Sequence, residues 1–242
     1  MNPLLLESLN ASSSPSNKGE QIELAKKIPK IILVFDTETS GLLPNKTDEL
    51  ILDKYPFILQ LSFVLYDMEQ RRTLRKYNKY IKVQEYVEIS PFITNLTGIT
   101  KEICMSGVDI TIALLEFYSA YKLCDAIVGH NISFDCKMLE LEIIRNYNIL
   151  SKTNPTIALI FNSTFQRLEN KRMYCTMSMG RNICNIMVAS KTNPQNFYKK
   201  NPKLEELYSK LFLEKIPNAH DALFDTMACL RCFVKIMSDV DI

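Results

Sequence analysis

The apolar run Ile31-Ile32-Leu33-Val34-Phe35 ends abruptly in Asp36-Thr37-Glu38-Thr39-Ser40-Gly41-Leu42. An unbroken apolar run without Gly or Pro predicts a strand covered on both faces. A second run, Phe57 to Tyr66, predicts another strand, and Lys79 to Val83 a third. Ser90-Pro91 opens a short helix that Gly98 closes. Ile110, Leu114, Phe117 and Tyr121 recur at steps of four, three and four, marking one face of a helix from about Asp109 to Cys124. Ala126-Ile127-Val128-Gly129 reads as a short strand, and Ser133 as the cap of a helix whose apolar stripe includes Met138, Leu141 and Ile144. After Pro202 the segment Lys203 to Leu213 is amphipathic, and a last helix, capped by Asn218 or Asp221, continues through Phe233. Strands alternating with helices predict an α/β fold.

Composition narrows the picture only slightly. The 242 residues, 47% of them hydrophobic, suffice for one large core. Residues 11–18 are rich in Ser, Pro and Asn, so a flexible tail is expected over 1–28 and one domain over 29–242. A formal net charge of +2 neither argues for a polyanionic partner nor excludes one. The seven cysteines are irregularly spaced, which fits reduced thiols rather than a secreted disulfide framework. Cys229-x-x-Cys232 lacks the second pair a zinc site needs, so buried thiols on one helix are expected. With no basic leader region and no stretch near the ~20 apolar residues of a membrane span, the protein is expected to be intracellular, in cytosol or nucleus, and neither secreted nor membrane-bound. The connection 43–55 is long, as functional loops tend to be. Region 150–201 resists periodicity; its Arg167, Lys171, Arg172 and Arg181, interleaved with Phe165 and Tyr174, suit a solvated face as well as a substrate contact.

The candidate chemistry sits at the end of the first strand. Period-two geometry points Asp36 and Glu38 the same way. Like charges side by side are unfavourable without a cation between them, and oxygen-only ligands on a rigid strand suit a hard divalent ion such as magnesium. Asp135 falls in a first helical turn just beyond a short strand, where α/β sheets gather their chemistry, although a helix dipole alone also favours an acid there. His220 and Asp225 are five residues apart; on one helix they would point about 140° apart. They can cooperate only if His220 precedes the helix and Asp225 projects from it.

Phe35-Asp36-x-Glu38-x-x-Gly41-Leu42, His130-Asn131-x-x-Phe134-Asp135 and His220-x-Ala222-Leu223-x-Asp225 resemble, in order, the three motifs of the DEDDh exonuclease family. This is the DnaQ-like group, and the resemblance spans roughly residues 31 to 236. It implies an RNase H-like fold, a mixed central sheet flanked by helices. It also implies a 3′→5′ exonuclease in which Asp36, Glu38, Asp135 and Asp225 hold two divalent cations, magnesium or manganese, while His220 takes the proton from the attacking water. Thr39, Gly41 and Leu42 would line the terminal nucleotide, with Asn131 and Phe134 as neighbouring contacts. His130 is expected to steady its loop by hydrogen bonds rather than to bind metal.

The expected substrate is the 3′ end of single-stranded or frayed nucleic acid, DNA ahead of RNA, hydrolysed to nucleoside 5′-monophosphates, with a polymerase or repair protein as a possible partner. The alternatives are an exoribonuclease or oligoribonuclease-like activity, a non-cleaving nucleic-acid-binding or polymerase-associated module, and an RNase H-like endonuclease. The acids together with the histidine argue for cleavage, and the His220–Asp225 spacing for exonuclease action.

Overall fold

β1 (Ile31–Thr39) occupies the middle of a five-stranded sheet. On one side lie antiparallel β2 (Ile58–Asp67) and then β3 (Arg72–Tyr80) at the edge; on the other lie β4 (Ala126–Gly129) and β5 (Arg172–Cys175), both parallel to their neighbours. The computed structural model describes residues 28–44, 51–216 and 221–242. Residues 1–27 of the expected tail, residues 45–50 of the long connection, Asn218 and His220 lie outside the described residues.

The central position of β1 explains its apolar run. Leu33 and Phe35 pack on one side with Phe117, Tyr121 and Leu139, whereas Ile32 and Val34 pack on the other with Cys229, Leu230 and Phe233. Both faces are covered, so the strand shows no alternation until the carboxylates begin. β2 is likewise buried along its whole length.

Among the described residues the helices are α1 (Pro91–Thr97), α2 (Lys101–Met105), α3 (Ile110–Tyr121), α4 (Ile132–Arg145), α5 (Tyr147–Thr153), α6 (Ser163–Leu168), α7 (Thr176–Cys184), α8 (Leu204–Phe212) and α9 (Ala222–Ser238). α3 and α4 cover one face of the sheet and α9 the other. None of them is long and apolar enough to cross a membrane. As expected, Ser90 caps α1, and Gly98 ends it at φ 74°, its N–H donating to the Thr94 carbonyl. Cys229 and Cys232 are buried free thiols of α9.

Two expectations are corrected. The third strand spans Arg72–Tyr80, not Lys79 to Val83. An edge strand is half solvated and carries charged side chains, so β3 lacks an apolar signature, while the apolar Ile81 and Val83 belong to the segment that follows. The cap of α4 is Asn131, not Ser133, which lies inside the helix. Asn131 adopts the left-handed conformation at φ 63°, which lets the chain turn within two residues of β4. That turn is tight: a Cβ on Gly129 would stand 3.1 Å from Ile132.

The unread region 150–201 supplies α6, β5, α7 and a small hairpin, β6 (Met187–Ala189) with β7 (Phe197–Lys199). Its cations prove partly structural. Lys171 donates its ammonium to the carbonyls of Tyr121 and Cys124 at the end of α3, and Arg181 donates to the Lys199 carbonyl of the hairpin.

Candidate active site

Asp36 and Glu38 share the α9 side of β1, following the phase set by Ile32 and Val34. α9 begins against the same end of the sheet, and its first turn brings Asp225 to meet them. Ligand oxygens of Asp36, Glu38 and Asp225 all lie within 4.8 Å of one another. Asp135, in the first turn of α4, stands outside that triad but near enough for its charge to act on both Asp36 and Glu38. Its Oδ1 accepts from the Thr37 N–H at 3.0 Å and from the Thr37 hydroxyl at 2.7 Å, leaving Oδ2 as the oxygen for a cation.

The electrostatics are those of acids forced together. Burial, and then Asp135, Asp225 and Glu38, push Asp36 well above the usual carboxylate range. Burial and then Asp225, Asp135 and Asp221 push Glu38 to about 8. Burial raises Asp135 to about 7, against the two bonds from Thr37. The neighbours acting on Asp36 and Glu38 are all acids, so a bound cation would complement them. The donor set is oxygen alone, which fits a hard divalent ion.

The start of α9 is fixed by Asp221, one of the two caps expected from the sequence, and by Gln60, which the sequence pattern did not single out. Asp221 caps the helix, its Oδ1 accepting from Leu223 N–H at 2.9 Å. Gln60 of β2 donates from Nε2 to Asn78 Oδ1 and to Asp221 Oδ2, and its Oε1 accepts from Ala222 N–H. Gln60 is only 1% exposed and is paired with Glu38 across β1 and β2. The signal was available: a lone amide inside the apolar run Phe57 to Tyr66, aimed at the catalytic face. Thr37 gave no such signal.

The expected substrate contacts are placed as follows. Leu42 is 86% exposed and, with Gly41, Phe57 and Tyr86, lines a cleft of about 760 Å³. Around Gly41 the nearest atom to an added Cβ is Pro56 Cβ at 4.0 Å, so the backbone is open to a close approach. Thr39 is buried, its hydroxyl donating to the Gly41 carbonyl at 2.7 Å. Asn131 is exposed and Phe134 half-buried at the start of α4. His130 does steady its loop: Nε2 donates to the Pro202 carbonyl at 3.1 Å while Nδ1 faces the Thr176 hydroxyl at 2.9 Å, and burial pushes the imidazole down to about 4, keeping it neutral.

An exonuclease family model, RNase_T, matches residues 33–233. No curated protein matches the chain closely enough to count as a relative. Among solved structures, the fold is similar to that of a 3′-exonuclease described in 3′-end recognition of the histone mRNA stem-loop (14% identity, TM-score 0.59, covering 88% of this chain and 84% of that one). It is similar to E. coli exonuclease I in complex with a dT13 oligonucleotide (16% identity, TM-score 0.59, 85% of this chain and 41% of that one). A third similar structure is the nuclease domain of 3′hExo, a DEDDh family member, bound to rAMP (14% identity, TM-score 0.54, 87% of this chain and 93% of that one). At these identities the likeness is one of fold, and this chain matches less than half of the E. coli enzyme.

Proposed function

The chain belongs to the RNase_T exonuclease family, and from that premise we propose that it hydrolyses the 3′-terminal phosphodiester of single-stranded or frayed nucleic acid, releasing nucleoside 5′-monophosphates. The observation that carries this reading is the convergence of Asp36 and Glu38 from β1 with Asp225 from α9 inside 4.8 Å. Asp36, Glu38 and Asp225, with Asp135 as a fourth donor, would hold two divalent cations, magnesium or manganese. When bound, these ions supply Lewis-acid activation of water and charge stabilisation at the leaving 3′ oxygen.

The rest falls to the chain. Thr37 fixes the orientation of Asp135. Gln60 and Asp221 fix the first turn of α9, so that Asp225 faces the acids of β1. His220 immediately precedes the cap Asp221 and is assigned the role of general base, its unperturbed pKa of about 6.5 suiting proton removal near neutral pH. Leu42 offers an exposed apolar surface to the terminal base, and the open backbone at Gly41 admits the sugar. Thr39, Asn131 and Phe134 complete the pocket around that nucleotide.

The test is digestion of matched 5′-labelled single-stranded DNA and RNA in magnesium or manganese, with EDTA and Asp36→Ala as controls. A ladder shortening from the 3′ end, abolished by both controls, is the expected result, and the faster strand reveals the sugar preference. Binding without cleavage of either strand would overturn the proposal in favour of a binding module. Cutting of an internally labelled circle would turn it towards an endonuclease.

A further inference from the structure

The face of the sheet that carries the acids continues beyond them. The register pairs Asp36 with Ser62 and Ser62 with Asn78, and it pairs Glu38 with Gln60 and Gln60 with Tyr80. Asn78 and Tyr80 of the edge strand therefore stand on the catalytic face, two strand spacings or about 10 Å from β1. One pair further along, Val64 faces Lys76 on the same side. Among the described residues, no further strand of the sheet pairs with the outer edge of β3; only at its end does Val108 bridge it, donating to the Tyr80 carbonyl and accepting from the Lys82 N–H.

The charge of this edge departs from that of the chain as a whole. Although the formal net charge is only +2, the segment 71–82 holds Arg71, Arg72, Arg75, Lys76, Lys79 and Lys82 and no acid. Arg75 is paired with Glu116, and Arg72 donates to Gln70. Among the described residues, no carboxylate lies within ion-pair distance of Lys76, Lys79 or Lys82, all three of which are exposed. Beside them Tyr80 is 37% exposed. Lys76 shares the catalytic face with Tyr80, Lys79, opposite Leu61, projects from the other face of the same edge, and Lys82 follows the strand. Free cations along one edge with an accessible ring among them are the two elements by which proteins hold single strands without reading sequence: charge along the backbone and an aromatic face for a base.

We propose that the β3 edge is a track for the nucleic-acid strand upstream of the 3′ end, with Lys76, Lys79 and Lys82 engaging phosphates and Tyr80 offering its ring to a base. The proposal rests on the exonuclease reading of the acid cluster and adds to it a grip on long substrates. A grip of this kind answers a physical need, because four clustered acids repel a polyanion until cations fill the site, and binding that begins on a remote basic strip avoids that repulsion. Edge lysines have a second ordinary use, keeping strands of other molecules from pairing with the sheet. That use makes no demand on the salt dependence of substrate binding, and so the two separate cleanly.

The experiment compares the wild type with the combined Lys76→Gln, Lys79→Gln, Lys82→Gln variant on a long single strand and on a dinucleotide, over a range of salt. Single-strand contacts each contribute a slope of about 0.7 in log affinity against log salt, so losing three is expected to flatten the slope for the long strand by about 2. Its KM at low salt should rise by about tenfold or more, with kcat and dinucleotide turnover unchanged. Tyr80→Leu should raise KM for the long strand by about fivefold or more, without altering the salt slope. Fluorescence anisotropy with the labelled long strand reads the same slopes whether or not the strand is cut, and the single Lys76→Gln and Lys79→Gln variants serve if the triple variant fails to fold. Equal slopes in wild type and variants would overturn the track and leave edge protection, or a protein partner, as the use of the lysines. A slope that flattens in the variant while the wild type itself never cuts would keep the track and overturn the exonuclease reading instead.

Discussion

Thr37 lies between the two acids of β1 yet faces the other way, towards α4, where its backbone and hydroxyl together hold one oxygen of Asp135. Groups that orient a metal ligand contribute to affinity without touching the metal. Thr37→Val keeps the volume and the backbone bond and removes the hydroxyl; it is expected to weaken manganese binding by about 10–100-fold, read by titration calorimetry, with little change in fold. Asp36→Ala should abolish metal binding and turnover together, and manganese affinity unchanged by that substitution would overturn the central assignment. His220→Ala should lose most turnover while retaining metal affinity, the pattern of a base that is not a ligand. These roles were legible to different degrees. Two acids spaced two apart announce themselves in a strand, whereas a threonine between them is indistinguishable from any β-forming residue until its partner is placed.

α4 works at both ends. Its first turn carries Asp135, and its last carries Arg145, whose guanidinium donates to the carbonyls of Leu52 at 2.8 Å, Tyr55 at 2.8 Å and Pro56 at 2.9 Å and lies over the Phe57 ring. Glu142 accepts from Arg145 Nη1 at 2.7 Å and from the Ile58 N–H at 3.3 Å. The segment entering β2, which borders the Leu42 cleft, is thus tied to the helix that bears Asp135, the proposed fourth donor. Arg145→Ala would strand a buried Glu142 carboxylate and three carbonyls; a loss of about 3–5 kcal/mol is expected in urea denaturation. Lysine should rescue little, since it cannot reproduce the planar fork. At this scale the apolar runs of β1, β2 and β4 and the periodicity of α3, α8 and α9 were readable. The edge strand β3 and the left-handed turn at Asn131 were not, because solvated strands and single-residue turns leave no periodic trace.

For the molecule as a whole, the crowded acids link metal, protons and stability. Glu38 at about 8 and Asp135 at about 7 stand above their ordinary 4.5 and 3.8, so between those limits the metal-free folded state binds more protons than the unfolded chain. The stability they contribute is complete below about pH 4 and is lost as pH rises through 7 to 8. In EDTA, the Tm is accordingly expected to fall between about pH 6 and 8.5, and a flat profile would contradict the raised carboxylates. Manganese at about a thousandfold over its Kd should restore roughly 4 kcal/mol, most fully at the alkaline end, where protons no longer compete for the ligands. Activity should decline below about pH 6 for two reasons, protonation of the acids and of His220; comparison with the pH dependence of manganese binding separates them.

The amino-acid order by itself determined the alternation of strands and helices and marked Asp36 and Glu38 as a pair suited to a hard cation, because strand and helix periods and the chemistry of a carboxylate are local properties, while Asp135 and Asp225 joined them through the order of three motifs. Tertiary structure alone decided which three acids close within 4.8 Å and which stands beside them under the hold of Thr37. It also decided that Gln60 braces the start of α9 and that an unremarkable basic segment forms the edge of the catalytic face. Those facts depend on strand order and register, which bring together residues far apart in the chain and which no local pattern encodes.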